Sequence, residues 1–453
     1  MTVDRSRLPE LGRVAPFAFP AIEKSVLPGG LAVWTVRHAV VPVVTFALLV
    51  RRGAADDPPG QEGLAALTAD MLDEGSGDLT AIEMHEALAR IGAQFDTDIG
   101  SDGLALTLTS LARFADRGVT LLAHMAARPR LAEDDFSRVR QLRLHRLSQL
   151  RDLPGAVAER VFVRLLYGDQ PYGHTPIGNE PALSALTVDD VRAFHARAIV
   201  PARATLVAVG DCDHASVERM AGAAFAGWRG EAGGGEAPDA PLPRPARLNV
   251  VARAGAPQSE LRIGHVAAER DTPDYHALVA ANMVLGGQFV SRINLNLRQA
   301  KGYTYGARTG FDFRRRPGPF ALQASVHTAA TASAIEESLA EIAAIRGPRP
   351  ITAEELATGV ATLTRGYARN FETAEQIARA ALQIALYDLP DDYFAEFVPR
   401  VERITPADAM AAAARHLDPD RLVTLVVGDL DAIAPDLGRL GLGDPVLIPS
   451  EGF

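Results

Sequence analysis

Apolar runs separated by turn residues predict several β-strands. Residues 23–51 contain two such runs on either side of Pro28–Gly30, a pattern typical of a hairpin. The run from Val40 to Val50 is too short to span a bilayer, and we interpret it as a buried strand. The sequence ATLVAVGD at 204–211 predicts a further buried strand.

Apolar positions at helical spacing lie between these strands. Residues 63–75 carry an apolar stripe and predict a helix. A second helix is predicted from Thr80, because Glu83 three residues later completes a capping box. Longer helices are predicted over 114–127 and 133–151. Strands and helices in the same segment favour an α+β fold.

The pattern occurs twice. The segment 187–201 resembles 405–419, and 203–211 resembles 421–429, both at an offset of 218 residues. A constant offset indicates an internal duplication more strongly than local propensity does. The chain is therefore interpreted as two diverged copies of one α+β unit.

A segment rich in glycine, proline and alanine, residues 229–247, lies near the middle of the chain. It is predicted to be a linker between an N-terminal domain at 1–228 and a C-terminal domain at 248–453. Each domain is long enough to bury a core of its own.

Composition excludes several classes of function. A net charge of −10 argues against a general nucleic-acid binder and against binding to anionic membranes. One cysteine, Cys212, allows no intramolecular disulfide. The first residues lack the apolar region of a secretory signal, which predicts a cytoplasmic protein, or a periplasmic one if a leader precedes the given sequence.

Common catalytic motifs are absent from the sequence. No two of the eleven histidines are four residues apart, so no helix presents a His-x-x-x-His pair to a metal. Neither a phosphate-binding P-loop nor a G-x-S-x-G nucleophile motif occurs. Arg314–Arg316 precedes Pro317–Gly318 and is interpreted as a solvated turn, with a binding patch as the alternative.

The segment 285–313 combines a glycine pair, a helix-like stretch ending at Arg298, a break at Gly302 and a strand that holds Tyr305. A guanidinium and a phenol on either side of one turn can converge on a carbonyl oxygen. By residue type alone, an arginine at a helix end is more often a solvated charge, and a strand tyrosine is more often packed.

Two stretches resemble the M16 metallopeptidases, which include pitrilysin-like proteases and mitochondrial processing peptidases. They are PYGHTPIGNEPALSALTVDDVRAFHARAIVPARATLVAVGD at 171–211 and GGQFVSRINLNLRQAKGYTYG at 286–306. The resemblance covers most of the chain and implies two homologous α/β-roll domains of the metallohydrolase kind, each with an antiparallel-rich sheet packed by helices.

The zinc motif of active family members is altered. Those members carry His-x-x-Glu-His after Gly-Leu-Ala, whereas here the ligand positions are Ala66 and Asp70 and the general-base position is Ala69. A third ligand, a glutamate on a later helix, is also missing, because no glutamate occurs between Glu133 and Glu159. An alanine can neither ligate zinc nor deprotonate water, so no metal is expected in this chain.

The resemblance implies that Arg298 and Tyr305 belong to the non-catalytic, substrate-binding chain of a heterodimeric zinc peptidase. A homologous partner would carry His-x-x-Glu-His and the zinc, and peptides or unfolded polypeptides would be the substrates. Tyr303, two residues before Tyr305, is expected on the same strand face as a further substrate contact. The alternatives are a structural scaffold subunit and a peptide-binding homodimer.

Overall fold

The computed structural model describes residues 6, 17–231, 233 and 242–449. Part of the predicted linker at 229–247 and most of the first sixteen residues lie outside the described residues. The proposed domain boundaries therefore stay predictions.

Strands of the described residues form two large sheets and a small two-stranded one. They are β1 (Glu23–Val26), β2 (Ala32–Arg37), β3 (Val43–Val50), β4 (Gly75–Ser76), β5 (Leu79–Thr80), β6 (Gln94–Ile99), β7 (Leu104–Leu111), β8 (Ala204–Gly210), β9 (Leu248–Ala252), β10 (Gln258–Val266), β11 (Thr304–Phe311), β12 (Pro319–His327), β13 (Val423–Gly428) and β14 (Val446–Leu447).

Helices cover both large sheets. They are α1 (Leu64–Asp70), α2 (Ala81–Arg90), α3 (Ala115–Ala127), α4 (Glu133–Arg151), α5 (Pro154–Tyr167), α6 (Glu180–Ala185), α7 (Val188–Ala198), α8 (His214–Ala224), α9 (Tyr275–Leu285), α10 (Thr331–Ala344), α11 (Ala353–Thr364), α12 (Ala374–Tyr387), α13 (Tyr393–Glu402), α14 (Pro406–His416) and α15 (Leu430–Leu437). A π-helical segment spans Asn294–Ala300.

Five strands of each large sheet have equivalent topologies. The first sheet has the order β1-β2-β8-β3-β7-β6, and the second, read from β14, has the order β14-β9-β13-β10-β12-β11. In both, a parallel pair (β2 with β8, β9 with β13) is followed by antiparallel neighbours. The outermost strands differ, because β1 is antiparallel to β2 and β14 is parallel to β9. The predicted α+β fold with two copies of one unit is confirmed.

The hairpin predicted over residues 23–51 is right only for its first part. Strands β1 and β2 pair antiparallel, but β8 lies between β2 and β3 in the sheet. Every residue of β8 is buried, because this strand has a neighbour on each edge and helices on both faces. The turn residues at 28–30 therefore predicted the turn between β1 and β2 correctly, but they did not predict that β3 pairs with β8.

Each sheet is covered by a helix from the other half of the chain. Helix α12 packs on β3 and β8, where Ala381 joins the buried cluster around Leu49 and Val207. Helix α5 packs on β10 and β13, where Val161 joins the cluster around Leu425. Each half buries a core of its own, as expected, and the exchanged helices add two further buried clusters that contain residues of both halves.

The Arg314–Arg316 turn docks on the N-terminal half instead of standing in solvent. The guanidinium of Arg314 lies 4.8 Å from the ring centroid of Tyr172, and it forms an ion pair with Asp312. The Tyr167 hydroxyl donates to the Pro317 carbonyl at 2.9 Å. Burial raises the pKa of Tyr167, which keeps this donor protonated. The turn therefore joins the two halves.

No helix among the described residues is long and apolar enough to cross a bilayer.

Candidate functional site

Two glycines shape the segment that sequence analysis singled out. At Gly286 a Cβ would stand 2.4 Å from the Thr309 side-chain oxygen, so only glycine lets this loop approach β11. The Gly286 carbonyl accepts a hydrogen bond from the Thr309 amide at 3.1 Å. Gly302 has a φ of +67°, the left-handed conformation that turns the chain from the π-helical segment into β11.

Arg292 anchors the start of the π-helical segment. Its guanidinium donates to both carboxylate oxygens of Glu355, at 2.7 Å each, and to the Arg349 and Pro350 carbonyls. Hydrogen bonds from Arg292 lower the pKa of Glu355 to about 2. The buried Arg292 thus fixes the segment that carries Arg298 against α11.

A β-bulge holds Tyr305 outside the core. Thr304 pairs with Val326 and Ala307 with Ala324, so β11 has one residue more than β12 over this stretch. Tyr305 is 90% exposed as a result. The bulge re-aims the tyrosine side chain away from the hydrophobic core and toward an open cleft.

Asn294 and Thr304 stabilise this bulge. The Asn294 amide donates to the Ala307 carbonyl at 2.7 Å and accepts from the Ala307 amide at 3.0 Å, as a neighbouring strand would. The Thr304 hydroxyl donates to the Ser325 carbonyl at 2.6 Å and accepts from the Gly306 amide at 3.1 Å. Sequence reasoning missed both residues. The available signal was a polar asparagine on the apolar face of the segment before β11, since a buried side-chain amide needs hydrogen-bond partners.

Arg298 lies on the π-helical segment, a rare element that occurs often at functional sites. Its guanidinium carbon is 4.1 Å from the ring centroid of Phe289. Phe289 is 69% exposed and lines the same cleft as Tyr305. Among the described residues no carboxylate pairs with Arg298. The arginine therefore keeps an uncompensated charge at the cleft rim.

The cleft beside β11 has a volume of about 560 Å³. One wall is the loop from Gly286 to Phe289, and another is the bulge. Its floor is a polar sheet face that includes Glu260, Arg262 and Arg308.

Strand β11 is the edge strand of its sheet, but the chain itself binds the outer backbone groups of two of its residues. Asn294 bonds the Ala307 amide and carbonyl, and Gly286 and Asn282 bond those of Thr309.

Tyr303 differs from the expectation. It precedes β11 and packs, half-buried, against the hydrophobic core of the C-terminal sheet. Tyr305 is exposed, so the two tyrosines do not share a strand face. The period-two argument failed because Tyr303 lies before the strand, and the bulge interrupts the alternation immediately after it.

The altered zinc-motif positions lie on α1. Ala66 is 1% exposed and Ala69 is 0% exposed, so both methyl groups are packed. The Asp70 carboxylate accepts a hydrogen bond from Arg143 on α4. A second nitrogen of the Arg143 guanidinium donates to the Pro176 carbonyl at 2.9 Å. Asp70 is thus an ion-pair partner and not the free surface carboxylate that helix statistics favour.

A loop binds the start of α1. The Asp57 carboxylate accepts from the amides of Gly63 and Ala65, both at 2.7 Å, which caps the helix. His174 Nε2 lies 3.0 Å from the same carboxylate. The backbones of Gly63 and Gly178 are in close contact, since a Cβ on Gly63 would be 3.0 Å from the Gly178 Cα. These contacts hold residues 171–178 against the start of α1.

The side chains at the altered motif do not fit zinc. Ala66 and Ala69 offer no donor atom, and the Asp70 carboxylate is engaged by the Arg143 guanidinium, a second cation. Among the described residues, no group of three histidine, cysteine, aspartate or glutamate side chains is placed to hold a metal ion. We derive no chemical step from a metal in this chain.

The paired α+β sheets, the exchanged helices and the altered helix α1 define a metallohydrolase-type fold whose motif positions carry no zinc ligand set. Residues 32–178 match the family model described as insulinase, peptidase family M16, and residues 185–363 match the M16 inactive domain. The chain belongs to the M16 peptidase family.

Curated relatives are distant. An uncharacterized zinc protease of Mycobacterium leprae is 24% identical over 307 residues, which cover 67% of this chain and 68% of the relative. An uncharacterized zinc protease of Bacillus subtilis, YmxG, is 21% identical over 63% of this chain and 68% of its own length. A non-peptidase homolog of Helicobacter pylori is 23% identical over 38% of this chain and 40% of its own.

Two solved structures share the fold. The M16 inactive domain from Pseudomonas fluorescens superposes with a TM-score of 0.82 at 24% identity, covering 90% of this chain and 98% of that one. A protease from Helicobacter pylori superposes with a TM-score of 0.83 at 19% identity, covering 90% and 99%. Both likenesses extend over both sheets.

Proposed function

We propose that this chain is the non-catalytic, substrate-binding subunit of a two-chain zinc peptidase. The observation that carries the proposal is the contrast between the two halves. The motif positions Ala66 and Ala69 are packed and donor-free, whereas Tyr305 is held out by a bulge at the edge of an open cleft. Of the motif positions compared, Tyr305 in the C-terminal half is thus the one that presents a free polar group to a cleft.

The proposed mechanism begins with an extended polypeptide that enters the cleft beside β11. Polar groups of the cleft would then bind the substrate backbone with little dependence on its side chains. Gly306, next to Tyr305 in the bulge, has no side chain that would obstruct this approach. Unfolded segments are the substrates that such a cleft accepts, because a folded chain has already paired its backbone groups.

Arg298 and Tyr305 would then act on the scissile peptide. Hydrolysis develops negative charge on the carbonyl oxygen, and fixed donors lower the energy of that state. The Arg298 guanidinium supplies permanent positive charge, which the Phe289 ring orients, and the Tyr305 hydroxyl supplies a second donor. The partner chain, with its own zinc and general base, would supply the activated water.

The proposal is tested by searching the neighbouring reading frames for an M16 chain that carries His-x-x-Glu-His and mixing that chain with the purified protein. The isolated chain is expected to cleave no unfolded polypeptide, and the mixture to cleave it in a chelator-sensitive way. Two results contradict the proposal: chelator-sensitive cleavage by the isolated chain, or a partner that reaches full activity without it. The second result favours the scaffold alternative.

A further inference from the structure

Arg308 on β11 is a cation without an acidic partner inside the cleft. Its Nε and Nη2 groups both donate to the Gln323 side-chain oxygen, at 3.1 and 2.8 Å. Gln323 is neutral, so these bonds orient the guanidinium and leave its charge uncompensated. Among the described residues no carboxylate forms an ion pair with Arg308, and its Nη1 group has no protein acceptor.

Other charges that line the cleft are balanced. Arg262 donates to Glu260 at 3.2 Å and forms a second ion pair with Glu159 of α5 at 3.5 Å. Its Nη1 group also donates to the Leu261 carbonyl, and its Nη2 group donates to the Gly155 carbonyl. Glu260, the acidic residue of the cleft lining, is therefore engaged by Arg262 and does not neutralise Arg308.

The cleft is thus a positive spot on an acidic protein. The whole chain has a net charge of −10, yet this cleft presents the free charge of Arg308, with Arg298 at its rim. The amide nitrogen of Gln323 adds a neutral donor, because its oxygen is occupied by Arg308. A forked guanidinium next to an amide donor matches the two oxygens of a carboxylate.

We propose that Arg308 and Gln323 form a subsite for a carboxylate of the bound polypeptide. This inference rests on the proposed function, because it takes the peptide to lie extended in the cleft beside β11. Side chains of an extended peptide alternate between its two faces, so every second one can face Arg308. The opposite charge of a carboxylate favours acidic side chains or a C-terminal carboxylate at this position.

Peptide binding to the full-length chain tests the inference. Fluorescence anisotropy would compare two extended peptides that differ only in having glutamate or glutamine at every second position, each with a free and with an amidated C-terminus. The wild-type chain is expected to prefer the glutamate peptide by about fivefold at low salt. A preference that follows the free C-terminus instead assigns the subsite to a chain end.

Three variants distinguish binding at the Arg308 subsite from a general effect of the protein's net charge. Arg308→Gln is expected to abolish the preference, and Arg308→Lys to retain part of it, because lysine keeps the charge and loses the fork. Arg90→Gln, which removes an exposed arginine on α2, is expected to keep the full preference. A preference that persists in Arg308→Gln overturns the inference.

Failure of the inference is distinguishable from failure of the proposed function. Equal binding of all four peptides by the wild-type chain, whatever their side chains and C-termini, overturns the carboxylate subsite and leaves peptide binding intact. Binding of neither peptide contradicts the proposed peptide-binding role itself, and the subsite with it.

Discussion

Asp70 on α1 and Arg143 on α4 form an ion pair beside the altered motif positions. The Arg143 side chain is only 11% exposed and also bonds the Pro176 carbonyl, so one guanidinium joins α1, α4 and the loop before α6. A fixed cation of the protein thus connects three elements around the altered motif.

Arg143→Ala is expected to lower the free energy of unfolding by about 1–2 kcal/mol, because a partly buried carboxylate and a carbonyl lose their donor. Urea unfolding measures the change. Arg146→Ala is the matched control, because Arg146 lines the surface cavity that Asp70 and Arg143 also line, and no carboxylate pairs with Arg146 among the described residues. Equal effects of the two substitutions would contradict a specific role for the ion pair.

Glu355 makes the stability of the Arg298-bearing segment dependent on pH. Its pKa falls from 4.5 to about 2 on folding, because Arg292 donates hydrogen bonds to the carboxylate. A lowered pKa contributes stability above the unfolded-state value, and that contribution is lost as pH falls from about 4.5 toward 2.

Glu355→Gln is therefore expected to flatten the acid limb of the stability profile and to lower stability at neutral pH. Urea midpoints measured across the acid range would detect both changes. A variant whose stability falls as steeply with acid as that of the wild type would exclude Glu355 as the source.

Asn294→Ala is expected to weaken peptide binding although Asn294 is not proposed to contact the reacting carbonyl. The substitution removes two hydrogen bonds to Ala307, destabilises the protein by about 2 kcal/mol and frees the bulge that holds Tyr305. Asn296→Ala, which affects bonds to Glu337 and Glu341 on α10, controls for general loss of stability. Unchanged peptide affinity in the Asn294→Ala variant would show that the bulge is not required for peptide binding.

Gly286→Ala is expected to displace the loop from β11, because the new methyl group would meet the Thr309 side-chain oxygen at 2.4 Å. Overpacking of this kind lowers stability by about 1–3 kcal/mol. Gly310→Ala is the control, since a Cβ there meets nothing within 4 Å. The thermal unfolding midpoints of both variants measure this effect. Equal midpoints would contradict the close approach of the Gly286 loop to β11.

The sequence predicted the repeated unit and most element positions, because turn residues, capping boxes and apolar periodicity are local signals. The capping box at Thr80 and Glu83 is present as predicted. The exchange of α5 and α12 between halves was not predictable, since an apolar helix face does not specify which sheet it covers. The Asp70–Arg143 pair was not predictable, because the sequence of α4 contains five arginines and does not show which of them approaches α1.

Placement of the site residues was predicted unevenly. The turn at Gly302 follows from glycine's access to positive φ, and the structure has it. The predicted position of Tyr303 was wrong, because the bulge after it depends on the Asn294 side chain. Asn294 lies on a different element, and alternation of residues along a strand does not reveal such a partner. Roles of Arg298 and Tyr305 stay proposals that need activity data.

The central claim is that this chain supplies Arg298 and Tyr305 to a partner's zinc site, and cleavage by the mixed subunits tests it most directly. Tyr305→Phe removes one hydroxyl donor and is expected to lower kcat/KM by about a hundredfold, with subunit association unchanged. Tyr303→Phe, the same change on a packed tyrosine, is expected to leave kcat/KM within about twofold of the wild type. Full activity of an Arg298→Ala, Tyr305→Phe double variant would contradict the account.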